Sequence, residues 1–280
     1  MKTLMNLSIQ ECLYEISMDW RTPFIATILY LVYVRHQNNR LRGAVATERS
    51  LLSFVSLLMI VHNIVLAAFS MYVFKQNAPF IFNRFRSVSF KMFCADEDKY
   101  IFNHVHYWSW VFYLSKIYEI MDTVILHLNK KRATFLQCYH HAGAIFATYL
   151  FCKAESHMAW IFVVLNSFVH SVMYLYYLIS VFRIRIRFKK IITTMQMTQF
   201  ILGYVLIAMH FIGGQRFSSD LKKRVLEIIT IIFNVGYVMF LFILFKMFFK
   251  KEYQKKKSKT ITKVTTNSES RESLPGIVAS

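Results

Sequence analysis

The sequence predicts an all-α, polytopic membrane protein of seven transmembrane helices, on three observations. Of its 280 residues, 56% are hydrophobic and only 18% are charged, against about 25% charged in an ordinary globular domain. The apolar residues come in seven long blocks with the charges between them. Three prolines and seven glycines give little turn punctuation, which favours long helices over a barrel of many short strands.

The chain divides into an N-terminal segment, 1–21, a membrane domain, 22–249, and a tail, 250–280. The first span, 22–35, is the weakest, because it runs into Arg35, although Pro23 suits a helix start. Glu11, Glu15 and Asp19 interrupt what precedes it, so no cleavable signal is expected and the first span doubles as the targeting signal. The second span is 50–74. The third, 104–128, carries Lys116, Glu119 and Asp122, and the fourth, 134–153, carries Gln137, His140 and His141. The fifth, 157–181, holds Asn166, His170, Met173, Tyr174, Tyr176 and Tyr177, and the sixth, 191–213, holds Thr193, Gln196 and Gln199. The seventh, 226–249, is apolar again. Each is near the roughly 20 residues that cross a bilayer.

Lys and Arg outnumber Asp and Glu by 34 to 15, a net charge of +19, which in a membrane chain is read by position before nucleic acid is inferred. Twenty of the 34 fall in the tail and in the loops between spans one and two, three and four, and five and six; twelve fall on the other side. The positive-inside rule therefore places the C-terminus in the cytosol and the N-terminus in the lumen. Asn6-Leu7-Ser8 is a glycosylation sequon on the correct side, a triplet that also arises by chance. The Lys-rich, Ser/Thr-rich tail reads as disordered and attracted to anionic headgroups. Nucleic acid is not an expected partner, because no aromatic platforms sit among the basic loops. Cys12, Cys94, Cys138 and Cys152 show no metal or disulfide spacing.

An ionisable side chain inside a span costs about 2.5–3.5 kcal/mol on insertion scales, so each calls for a reason. Lys116, Glu119 and Asp122 recur every three residues and form a spiralling stripe on one helix face, with Thr123 behind them. They read either as a self-neutralising ion-pair set or as the wall of a cavity. Histidines on two neighbouring spans read as helix-bridging hydrogen bonders or as reactive groups, and the glutamines as bundle glue or lining. Depth favours the cavity. Measured from the cytosolic ends of their spans, all four polar sets lie roughly 6 to 16 Å deep, which places them in one shared layer opening to the basic side.

These residues resemble the fatty-acid elongases, the membrane condensing enzymes also called very-long-chain 3-ketoacyl-CoA synthases. Lys116-Ile-Tyr-Glu119-Ile-Met-Asp122-Thr123 is similar to that family's KxxExxDT. Gln137-Cys-Tyr-His140-His141 stands where the family has HxxHH. His170-Ser-Val-Met173-Tyr174-Leu-Tyr176-Tyr177, preceded by Asn166, resembles HxxMYxYY, and Thr193-Thr-Met-Gln196-Met-Thr-Gln199 resembles TxxQxxQ. Any one is weak; four in order within a seven-span chain are specific. The departure is Gln137 in place of the first histidine, shared by some elongases of lower eukaryotes acting on polyunsaturated chains. Glutamine can still orient a neighbour, as a neutral histidine would.

The resemblance implies a multi-pass enzyme of the endoplasmic reticulum membrane that condenses a long-chain acyl-CoA with malonyl-CoA. The product is a 3-ketoacyl-CoA two carbons longer, with release of carbon dioxide and CoA. It implies His140 as the nucleophile that forms an acyl-imidazole, and His141 and His170 as groups that orient the thioester or stabilise oxyanion and enolate. Lys116, Glu119, Asp122 and Asn166 would form the polar wall, with Tyr174 and Gln196 lining it. No cofactor beyond the substrates is implied. Expected partners are membrane lipid, the reductase, dehydratase and enoyl reductase of the elongation cycle, and a second copy of the chain.

Cys138 competes as nucleophile but points about 200° away from His140 on a helix, which favours a packing role. Lys130, Lys131 and Arg132 either hold CoA phosphates or simply obey the charge bias. A seven-span receptor has the same topology, but spans two to seven contain no proline and neither Asp-Arg-Tyr nor Asn-Pro-x-x-Tyr occurs. A di-iron membrane desaturase or hydroxylase shares histidine boxes, but the ten histidines here include no HxxxH.

Overall fold

Local capping chemistry sets most of the helix starts. Ser8 and Glu11 exchange side-chain and backbone hydrogen bonds in a capping box that opens α1, Ile9–Ser17. Ser53 accepts the Ser56 amide at the start of α3, Phe54–Ser87. Thr134 accepts that of Gln137 at α7, Phe135–Lys153, and Asp220 that of Lys223 at α10, Leu221–Phe249. The remaining helices are α2, Arg21–Arg40; α4, Phe90–Ala95; α5, Tyr100–Tyr118; α6, Met121–Leu128; α8, Ala159–Val181; and α9, Lys189–Ile212. Pro23 sits in the first turn of α2, where its missing N–H costs nothing. A π-helical turn, Lys250–Gln254, follows α10. This computed structural model describes residues 8–44, 53–184 and 188–254, all of whose regular elements are helical. The Asn6 sequon and the tail beyond Gln254 lie outside the described residues.

Each expected span meets a helix, with two corrections. α3 does not stop at residue 74 but continues through Pro79 to Ser87, giving 34 residues and a length of about 51 Å against a hydrocarbon core of about 30 Å. The third span is not one helix. α5 ends at Tyr118, Glu119 and Ile120 form a turn, and α6 resumes at Met121. Through this break the Ile120, Asp122 and Thr123 amides bond to the carbonyls of Ile117, Glu119 and Ile120, three residues back, the tighter pattern of a 3₁₀ turn. Lys116, Glu119 and Asp122 therefore do not share one continuous stripe.

Four of these helices, α3, α8, α9 and α10, are long and apolar enough to cross a membrane. The other three expected spans fall on α2, on α5 with α6, and on α7. Polar residues dilute their apolar character. The protein is thus an all-helical, polytopic membrane protein. α5, α7, α10, α9 and α8 pack in sequence and close a ring, with α3 laid along α8 and α2 along α7. The ring encloses the space in which the polar residues meet.

At the end of the ring near α4, a buried knot ties the helices together. His157 Nε2 and His210 Nδ1 each lie 3.1 Å from the Cys94 carbonyl, and Trp160 donates Nε1–H to His210 Nε2 at 3.2 Å. Phe93, Phe151, Met158 and Ile161 pack around it.

Candidate active site

The α5–α6 break directs neighbouring acidic groups to different partners. Lys116 is buried at the end of α5 and donates from Nζ to Glu119 Oε1 at 2.6 Å and to Asn166 Oδ1 on α8 at 2.9 Å. The same Glu119 oxygen lies 3.6 Å from His170 Nδ1. Asp122, one turn further on, takes its hydrogen bonds from other residues. Its Oδ1 lies 2.8 Å from His62 Nε2 of α3, and its Oδ2 accepts the Tyr174 hydroxyl at 2.8 Å. His62 Nδ1 meets Tyr118 Oη at 3.3 Å. The acidic wall is therefore two layers, each tied to a different helix pair.

α7 brings in the histidine box. A ring nitrogen of His140, one of His170 and a Glu119 carboxylate oxygen all lie within 4.8 Å of one another. His141 is buried with its ring centroid 5.3 Å from that of His140 and 6.0 Å from that of Tyr30. Gln137 donates Nε2–H to Thr123 Oγ1 at 3.1 Å, and Tyr30 Oη meets the same hydroxyl at 3.1 Å. On α9, Gln196 Nε2 lies 3.3 Å from Met173 Sδ.

A cavity of about 690 Å³ unites these groups. Glu119, Asp122, Gln137, His140, His141, Asn166, His170, Tyr174 and Gln196 line it, while Lys116 stands behind Glu119. Of the three CoA-phosphate candidates only Lys131 lines it; Lys130 and Arg132 are exposed elsewhere. Lys189 adds a second cation at the wall, 3.3 Å from Glu252. Cys138 lies outside the lining and packs with Tyr30, Val34 and Ala133.

Asn166, Gln199 and Phe200 also line a narrow apolar pocket that runs between α7, α8, α9 and α10 toward Phe151 and Met158. The polar chamber and the apolar pocket thus share a wall at these three residues.

Glu119, His140 and His170 form a donor set of a kind that binds divalent metals. It fits poorly here, because the Lys116 ammonium stands 2.6 Å from Glu119 Oε1 and its charge opposes a second cation at that carboxylate.

Sequence reasoning missed His62. The rule that flagged the other residues, an ionisable group within an apolar run, applies to it equally. It also missed Tyr237, which holds the histidine box from α10. A tyrosine in an apolar helix carries no such flag.

Fold and site together define a class: membrane-embedded helical bundles with a histidine–carboxylate chamber set against an apolar pocket. The chain belongs to the ELO: GNS1/SUR4 family, whose model matches residues 16–261. It is 26% identical over 250 residues to very long chain fatty acid elongase 3 of Mus musculus, covering 87% of each chain. It is 28% identical to very long chain fatty acid elongase 6 of Gallus gallus over 70% of this chain and 72% of that one. Fatty acid elongase sre1 of Dictyostelium discoideum is 34% identical over 44% of this chain, a match that spans about half, 47%, of that relative.

Proposed function

We propose that this protein is a fatty-acid elongase that condenses a long-chain acyl-CoA with malonyl-CoA to give a 3-ketoacyl-CoA, carbon dioxide and CoA. The observation that carries the proposal is the apolar pocket that shares the wall formed by Asn166, Gln199 and Phe200 with the His140–His170–Glu119 chamber. A fatty acyl thioester needs this arrangement, a reactive head among polar groups with its tail in an apolar slot.

In this reading a His140 ring nitrogen attacks the thioester carbonyl and expels CoA, forming an acyl-imidazole. Malonyl-CoA then loses carbon dioxide, and its enolate carbon takes the acyl group and frees the imidazole. His170 and His141 flank the developing oxyanion, and the Lys116–Glu119 pair fixes the charge beside His170. Lys131 and Lys189, the two lysines of the cavity wall, meet the CoA phosphates. No metal or other cofactor takes part. The chain crosses the endoplasmic reticulum membrane seven times, with its N-terminus in the lumen and its C-terminus in the cytosol. It works beside the reductases and dehydratase of the same cycle, and a homodimer is compatible with its exposed apolar faces.

The test is conversion by purified protein, followed by mass spectrometry. Wild-type protein should form the two-carbon-extended 3-ketoacyl-CoA only when malonyl-CoA is present, and His140→Ala should form none while remaining folded. Substantial product from His140→Ala would remove His140 as the nucleophile. The rival reading, an iron-dependent desaturase or hydroxylase, rests on the Glu119–His140–His170 donor set; stoichiometric iron in the purified protein would favour it.

A further inference from the structure

One ring nitrogen of His140 is accounted for by a residue far along the chain. His140 Nδ1 lies 3.2 Å from the Tyr237 hydroxyl of α10, and that same hydroxyl lies 3.0 Å from the His140 backbone carbonyl. Two oxygens this close require a proton between them, and the carbonyl has none to give. The single Tyr237 proton therefore points at the His140 carbonyl, and only a lone pair is left for Nδ1. A lone pair facing a ring nitrogen needs an N–H there, so Nδ1 carries the proton and Nε2 is left as the free base. Tyr237 is absent from the cavity lining; it grips the imidazole from behind, and Nε2 is the nitrogen left for the chamber.

The neighbouring residues keep the tyrosine in place. A Cβ at residue 143 would stand 2.2 Å from Tyr237 Cε2, so only glycine lets the ring lie against α7 between His140 and the next turn. Phe233 stacks on the other side at 6.3 Å, and Tyr139 donates to the Tyr237 carbonyl at 3.3 Å. The Tyr237 ring is almost fully buried.

We infer that Tyr237, seated against Gly143, is a positioning residue that locks His140 in the Nδ1–H tautomer, so that Nε2 is the nucleophile. This deepens the condensing-enzyme reading and rests on His140 being the acyl acceptor. In acylation the Nε2 lone pair forms the new N–C bond, the C–S bond breaks, and CoA leaves as thiolate to be protonated from solvent. The positive charge of the acyl-imidazolium is shared with Nδ1–H and dispersed into the Tyr237 oxygen. In condensation the malonyl carboxylate leaves as carbon dioxide, the enolate carbon forms the C–C bond, and the N–C bond breaks, returning its electron pair to Nε2. The Nδ1 proton never leaves.

The test follows acylation and tautomer separately. Acyl-CoA alone is mixed with wild-type protein, and the adduct on the His140 peptide is timed by mass spectrometry. Tyr237→Phe keeps the ring but removes the hydroxyl; its adduct should form about 10- to 100-fold more slowly, with the KM for acyl-CoA changed by no more than about twofold. Tyr149→Phe deletes a buried hydroxyl elsewhere on α7, one that donates to the Met18 carbonyl, and should acylate at the wild-type rate. In ¹⁵N-histidine spectra the His140 signal, identified by its loss in His140→Ala, should report Nδ1–H in wild type and a mixture in Tyr237→Phe. A wild-type Nε2–H signal, unchanged acylation by Tyr237→Phe, or equal slowing by both tyrosine variants would overturn the lock. Absence of any adduct on His140 in wild type would instead overturn the nucleophile reading, and the wild-type spectrum would still decide the tautomer.

Discussion

Lys116 and Glu119 form an ion pair inside the bundle, Nζ to Oε1 at 2.6 Å, with side chains 1% and 3% exposed. Asn166 accepts a second lysine proton and His170 flanks the carboxylate. Removing one member of such a pair leaves an uncompensated buried charge, which costs about 3–5 kcal/mol. Lys116→Met should therefore lower the thermal midpoint in detergent sharply. Lys116→Met combined with Glu119→Leu should recover much of that loss and none of the activity. Equal midpoints for the single and double variants would show that the pair is not energetically coupled.

The second prediction concerns Gln137. Its amide donates to Thr123 Oγ1, which also meets Tyr30, so it ties α7 to α6 and α2. A histidine N–H can make the same bond. Gln137→His should condense acyl-CoA within a few-fold of wild type, since the net value of one such bond is about 1 kcal/mol. Gln137→Leu removes the donor and should be several-fold slower. Initial rates of 3-ketoacyl-CoA formation check both; complete loss in Gln137→His would contradict an orienting role.

The composition of the site was legible in the sequence, because polar residues in apolar runs stand out and three-residue spacing groups them. The arrangement was less so. Lys116, Glu119 and Asp122 look like one stripe only if the helix is continuous, and the turn at Glu119 and Ile120 depends on packing by α3, α7 and α8, which no local pattern records. Depth along each span did place the histidines and carboxylates in one layer, and the cavity gathers them. His62 was readable by the same rule as the others. Tyr237 was not, because its role is a contact between α10 and a glycine on α7 94 residues earlier in the chain. A span ending at residue 74 leaves Pro79 outside it, whereas α3, which packs along α8, runs helically through Pro79 to Ser87.

His62 supplies the third prediction. It is buried on α3 and is one of two groups holding the Asp122 carboxylate, with Tyr174 on the other oxygen. His62→Ala leaves Asp122 short of a partner and should destabilise the protein by about 1–3 kcal/mol. His62→Gln retains a donor and should lose less. Thermal melts of the two variants, compared with Tyr174→Phe, measure the relationship directly. A melt of His62→Ala at the wild-type midpoint would show that Asp122 is satisfied by other means.

The apolar pocket makes the last prediction one of opposite signs. Met158, the N-cap of α8, stands twelve residues before His170, about 18 Å along the helix, and Phe151 and Met158 close the far end above the Cys94–His157–His210 knot. A Cβ at Gly203, which lines the pocket, meets nothing within 4 Å, so Gly203→Leu is accommodated without a clash and adds bulk at the slot wall. Met158→Ala empties the floor instead. If the acyl tail lies here, Gly203→Leu should shift the product spectrum to shorter chains and Met158→Ala to longer ones. Met158→Ala also creates a cavity costing about 2–5 kcal/mol, so total turnover falls as well. A general loss of stability lowers all products in proportion; only a change of slot length moves the two spectra in opposite directions. Competition assays with mixed acyl-CoA chain lengths, read by mass spectrometry, separate these outcomes, and shifts in the same direction would place the tail elsewhere.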